Sequence, residues 1–276
     1  MPTAQTLVVA AFEFTLPVAG LVLLWQYVLA PIARRERVPS RLDPWEASVV
    51  EFLTFVLFVL GGVFLLSFVA AAGLKLVAAD RITNIVFGGM AAPQFGMILG
   101  AAVYWARHGG DPRRRDPAAK VFLSGVVTFL IAWPVIIATA NLWELALEVM
   151  GLPTERQDLI GMFADTESPW LLGAMFLLAT MVAPIAEELV FRAGLFRYLR
   201  TRTHRMLAVA GPSVLFAAMH VEWTTLRGLV GFVPLAVLAM IFSLAYERTG
   251  QIGTTVVAHA LFNLNTVILI WAGFAK

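Results

Sequence analysis

Apolar runs of about 20 residues, broken by short polar stretches, recur along the whole chain. Roughly 20 consecutive apolar residues cover the hydrocarbon core of a bilayer as one helix. The pattern therefore predicts eight membrane helices: Leu7–Leu29, Val49–Leu74, Ile82–Trp105, Val121–Trp143, Trp170–Val190, Met206–Val221, Leu229–Tyr246 and Ile252–Phe274. No stretch alternates with a period of two as a strand would, and no linker or short repeat divides the chain. The expected fold is all-α: a polytopic transmembrane helical bundle forming one integral membrane domain over residues 1–276. The first run is preceded by no basic segment and followed by no small-residue cleavage site, so it reads as a retained helix and not as a signal peptide.

The polar connections assign an orientation. Arg34, Arg35, Arg37 and Arg41 follow the first run, Arg107, Arg113, Arg114, Arg115 and Lys120 the third, and Arg197, Arg200, Arg202 and Arg205 the fifth. Loops rich in Lys and Arg stay cytoplasmic. The connection after the fourth run carries Glu148, Glu155, Asp158, Asp165 and Glu167 against Arg156 alone, as expected of the outer side. Both termini are then expected outside.

Composition agrees with this pattern. Hydrophobic residues make up 60% of the 276 and charged residues only 14%, where a soluble domain carries roughly 25%. Mean hydropathy is +0.82. The chain has no cysteine, which excludes disulfides, thiolate nucleophiles and thiolate metal sites. A net charge of +2 is too small to suggest nucleic acid, and no nucleic-acid-binding motif is present. The alanine- and arginine-rich composition points to a bacterial cytoplasmic (inner) membrane.

Against this background the charged residues of the last third stand out. Glu187, Glu188 and Arg192 fall in the fifth run, Phe216 and His220 in the sixth, and His259 and Asn263 in the eighth. An acid within hydrocarbon is costly, so it marks a functional site unless a partner explains it. At about 100° per residue, Glu188 and Arg192 are i,i+4 neighbours that can pair, whereas Glu187 points elsewhere and is free to face a water-filled cavity. His259 and Asn263 share a face in the same way, and His220 joins them if the three helices converge. A desolvated glutamate can act as general base with an imidazole relaying its proton. A second imidazole and a carboxamide can donate to an oxyanion. That inventory suffices for amide hydrolysis.

The stretches EELVFR (Glu187–Arg192), FAAMH (Phe216–His220) and HALFN (His259–Asn263) resemble the EExxxR, FxxxH and HxxxN motifs of the CPBP, or Abi, family of intramembrane glutamic endopeptidases, which includes the CAAX prenyl endopeptidases. Tyr246–Gly250 is similar to the segment between the last two motifs. The resemblance covers about residues 171–270 as a catalytic core. It implies that Glu187 and His220 activate the water, that His259 and Asn263 stabilise the oxyanion, and that Glu188 and Arg192 support the site. Ala193 departs from the glycine common at that position. The implied substrate is a membrane-bound protein or peptide, reached from the cytoplasmic half of the bilayer.

Two alternatives remain at this level. Glu187, His220 and His259 match a catalytic zinc ligand set, although there is no HExxH and Asn263 suits an oxyanion better than a metal, so the expected cofactor is none. A transporter or scaffold with a buried polar site is the other. His108 and His204 read as solvated loop residues, while Glu13, Gln26, Glu51, Gln94 and Asn141 are open to capping or cavity-lining roles.

Overall fold

The structure, a computed structural model, describes residues 4–32, 40–109, 116–154 and 166–272. Among the described residues eight helices follow one another: α1 (Ala4–Leu24, prolonged by the π turn Trp25–Leu29), α2 (Val49–Leu76), α3 (Arg81–His108), α4 (Ala118–Met150), α5 (Pro169–Arg200), α6 (Arg205–Ala218), α7 (Leu229–Thr249) and α8 (Ile252–Trp271). Among the described residues there is no strand, only an isolated bridge between Glu222 and Arg227. The architecture is an all-α membrane bundle, and the protein is an integral membrane protein.

Six helices, α2 to α5, α7 and α8, are long and apolar enough to cross a bilayer. The expectation of eight spans needs correction at α6. Its 14 residues rise only about 21 Å at 1.5 Å each, short of the roughly 30 Å hydrocarbon core. The chain leaves α6 through a tight loop in which Leu226 and Gly228 adopt φ of 59° and 78°. The fifth predicted run errs the other way: α5 continues ten residues beyond Val190 to Arg200, because Arg192 and Arg197 end the apolar run without ending the helix.

Close backbone approach organises α2 against α3. A Cβ on Gly96 would lie 2.6 Å from Val63 Cα, and one on Gly100 would lie 2.2 Å from Phe58 O. This GMILG stretch is a GxxxG surface, which packs membrane helices where the hydrophobic effect offers no help. Helix α2 itself starts with a capping box in which Ser48 and Glu51 exchange hydrogen bonds, which accounts for Glu51.

One end of the bundle is fastened by an extended strap, Ser40–Ser48. Arg41 N donates to Glu247 O at 2.9 Å, and Arg197 Nε donates to Asp43 O at 2.9 Å. Arg202 donates to the carbonyls of Trp45 and Ala47. The Trp45 ring fills a pocket made by Phe52, Phe55, Tyr104 and Tyr198. Beneath it, Glu247 accepts from Arg200 Nε at 2.6 Å and from Arg205 Nη2 at 2.7 Å. The arginines from the end of α5 to the start of α6, expected only as topology signals, are thus structural fasteners. Arg34, Arg35, Arg37, Arg113–Arg115, Glu155, Arg156, Asp158 and Asp165, which carried much of the orientation argument, lie outside the described residues, as does the side chain of Glu13.

Candidate active site

Helix α5 is interrupted where the polar residues lie. The six α-helical residues Ala183–Glu188 sit between two π stretches, Leu178–Val182 and Leu189–Phe196. Pro184 supplies a local cause for the first, since it has no N–H to give to the preceding turn. π segments widen a helix and re-aim its side chains, and they recur at functional sites. Within the second, Gly194 faces α2 so closely that a Cβ would lie 2.5 Å from Phe55 Cε1. Space is therefore needed at Gly194, while Ala193 is accommodated with its side chain buried.

Glu188 is fully buried and Arg192 is 1% exposed. Arg192 Nη1 lies 2.9 Å from Glu188 Oε1, the i,i+4 pair expected from the helical period. The guanidinium also lies over Phe216 at 5.0 Å and Phe242 at 5.4 Å, and its Nη2 donates to Ala239 O at 3.3 Å. A buried charge is tolerable when paired and surrounded in this way. Phe242 and Thr255, the latter one turn before His259 and beside the Glu188 carboxylate, went unnoticed in the sequence. Thr255 sits at i−4 from His259, so the helical period could have found it; no sequence signal marks Phe242.

His259 joins the two glutamates. Its Nδ1 is 3.0 Å from Glu188 Oε1 and its Nε2 is 3.7 Å from Glu187 Oε2. Glu188 can only accept while ionised, so Nδ1 carries the hydrogen and Nε2 is turned toward Glu187. The Glu187 side chain keeps 18% of its surface exposed. The sequence grouped His259 with Asn263; the structure brings His259 against both carboxylates as well.

His220 lies two residues beyond the end of α6 and not on it. Its Nδ1 is 2.7 Å from Phe216 O. A carbonyl only accepts, so Nδ1 donates and Nε2 is left with a lone pair. The Phe216 ring lies 4.6 Å from the His220 ring and 6.1 Å from that of His259, so the two imidazoles flank one phenyl group. Asn263 Nδ2 donates to Ala179 O at 2.7 Å, a carbonyl in the first π stretch. This uses one of the two amide hydrogens and leaves the other. The three motifs thus meet from α5, the end of α6 and α8, His220 through the Phe216 ring and Asn263 through the Ala179 carbonyl.

No group of three or more His, Asp or Glu residues among those described is arranged to hold a metal ion. His259 Nδ1 and His220 Nδ1 are already engaged, and His259 Nε2 stands 3.7 Å from Glu187 Oε2. Elsewhere, His204 is exposed. His108, also exposed, stacks on Tyr104 at 4.6 Å and donates to its carbonyl at 3.1 Å.

Comparison with known proteins agrees with the motifs. Residues 169–265 match the family described as Type II CAAX prenyl endopeptidase Rce1-like. A Bacillus subtilis (strain 168) protein described as "Putative membrane peptidase YdiL" is 30% identical over 95 residues, 34% of this chain and 36% of that protein. The chain thus spans about a third of the length of the curated relative it matches. No solved structure matches it. The matched segment, about a third of the chain, holds α5, α6, α7, most of α8 and all three motifs, and this part of the chain is similar to the type II CAAX prenyl endopeptidases.

Proposed function

We propose that the chain is an intramembrane endopeptidase that hydrolyses a peptide bond of a membrane-associated protein or peptide with water activated by glutamate and histidine, without a metal. The observation that carries this reading is the buried row Arg192, Glu188, His259, Glu187, with ion-pair and hydrogen-bond distances of 2.9 and 3.0 Å leading to a gap of 3.7 Å at the solvent-touched acid. A structural ion pair would need only the first two members. A gap of that size is typical of a catalytic contact that tightens once substrate is bound.

In this mechanism Glu187 takes a proton from water as its oxygen attacks the scissile carbonyl carbon. His220, with its Nε2 lone pair directed by the Phe216 carbonyl, accepts a hydrogen bond from the same water. The tetrahedral oxyanion receives hydrogen bonds from the remaining Asn263 amide hydrogen and from His259 Nε2–H, formed when Glu187 passes on the proton it took from water and lost when that proton returns to Glu187. Collapse breaks the C–N bond, and the leaving amine takes the proton held by Glu187. Glu188 and Arg192 fix the ring of His259. The end bearing the strap and its arginines faces the cytoplasm of a bacterial inner membrane, which makes the cytoplasmic half the side of substrate entry.

The test is cleavage of a quenched fluorescent peptide, found by screening, by purified Glu187→Gln protein. Loss of more than about a hundredfold in rate is expected with melting unchanged. Cleavage at a near wild-type rate would remove Glu187 from the mechanism.

A further inference from the structure

At the strapped end, α4 and α8 begin side by side. A Cβ on Gly125 would lie 2.5 Å from the Val257 side chain, and one on Gly253 would lie 2.7 Å from Val121 Cγ1, so the two glycines permit the approach. Neither helix start has a side-chain cap or an acid in its first turn. Beside them opens a cavity of about 330 Å³ lined by Arg41, Asp116, Lys120, Ser124, Arg248 and Gln251 among others. Three cations face one carboxylate there, and Asp116 is already paired with Lys120 at 3.6 Å. Gln251, the residue preceding α8, is 5% exposed, yet its Nε2 has no hydrogen-bond partner. A buried amide donor left unpaired is costly, and an acceptor in the cavity removes the cost.

We infer that this cavity binds the phosphate group of an anionic membrane lipid. The guanidinium and ammonium groups that line it offer charge-assisted hydrogen bonds, the positive ends of two helix dipoles lie beside it, and the volume falls within the range of small-ligand pockets. A lipid is favoured over free phosphate because Phe122 and Leu123, adjoining Val121 on α4, are 57% and 63% exposed and offer an apolar surface to acyl chains. Basic pockets at the ends of membrane helices take anionic headgroups in this way. The proposal is independent of the proteolytic reading, since the cavity shares no residue with the motif cluster.

The experiment uses the full chain in mixed micelles. Phosphatidylglycerol should raise the melting temperature where phosphatidylcholine of the same acyl chains does not, and native mass spectrometry should show phosphatidylglycerol retained. Lys120→Gln combined with Arg248→Gln should weaken retention about 25-fold, at roughly fivefold per cation. Lys75→Gln combined with Arg81→Gln, at the opposite end, should leave it unchanged. Gln251→Leu should melt no lower than wild type in phosphatidylcholine and lose most of the phosphatidylglycerol shift, which a purely structural Gln251 would not do. Undiminished retention by the Lys120/Arg248 variant overturns the site, and inorganic phosphate reproducing the whole shift overturns the lipid as its occupant.

Discussion

Replacing Glu188 by Gln should unfold this protein far more readily than the same change one residue earlier. Glu188 is fully buried and Arg192 nearly so, at an ion-pair distance of 2.9 Å. A glutamine there leaves Arg192 charged with no counter-ion, and presents an amide to two donors, the guanidinium and His259 Nδ1–H. Breaking one side of a buried pair costs about 3–5 kcal/mol. Phe216, Phe242 and the Ala239 carbonyl still surround the guanidinium, which places the expectation toward the lower end of that range. At about 2–4 °C per kcal/mol, the melting temperature should fall by roughly 6–12 °C. The Glu187 side chain, partly exposed and 3.7 Å from its nearest imidazole nitrogen, should shift it by no more than the roughly 0.5 kcal/mol of a tolerant site. Intrinsic tryptophan fluorescence in detergent measures both. A double variant, Glu188→Gln with Arg192→Met, should recover part of the loss because no charge is stranded. Equal melting of the two single variants, or a double variant as unstable as the sum of both singles, would refute the reasoning.

Asn263→Ala should lower kcat about a hundredfold with peptide binding little changed, since the spare amide hydrogen is matched to charge present only in the transition state; parallel losses in both would make Asn263 a positioning residue. Chelator-washed protein should keep full activity with no stoichiometric transition metal by elemental analysis, and one zinc per chain that tracks with activity would replace the metal-free mechanism. Gly96→Ala should destabilise by about 1–3 kcal/mol, because the new methyl meets the backbone of Gly62 and Val63 and not a movable side chain; unchanged melting would mean that α2 and α3 can separate at no cost. For orientation, His204→Cys and Glu167→Cys in this cysteine-free chain should label from opposite faces of the membrane, His204 from the cytoplasm; both positions avoid the arginines that hold the strap.

Helix positions were readable because membrane spans announce themselves by length alone. What length could not reveal was the end of α5, where arginines needed for the site and the strap mimic a loop, or the early stop of α6, where apolar residues continue past Ala218 into a turn. Within the site, the helical period correctly paired Glu188 with Arg192 and set Glu187 apart. It could not say which imidazole closes on which carboxylate, because that depends on how far α8 stands from α5 and on two π stretches, of which only the first has a local mark, in Pro184. The GxxxG surface of α3 is present in the sequence but carries no polarity contrast against its apolar neighbours, so hydropathy does not mark it.

The strap also sets a timetable. Ser40 and Glu247 meet across 207 positions of chain, and a ribosome adding roughly 5–20 residues per second needs about 10–40 s to make the second after the first. For most of that interval Trp45 has been translated but Tyr198 has not, and the carbonyls that will receive Arg197 and Arg202 have no donor from α5. The earliest helices are therefore inserted before anything can lock them, and the lock is supplied by residues made much later. A nascent chain stalled before Glu247 would hold its membrane helices in place and still be unfinished at the end where the strap belongs, which gives quality control a defined feature by which to tell a complete bundle from an incomplete one.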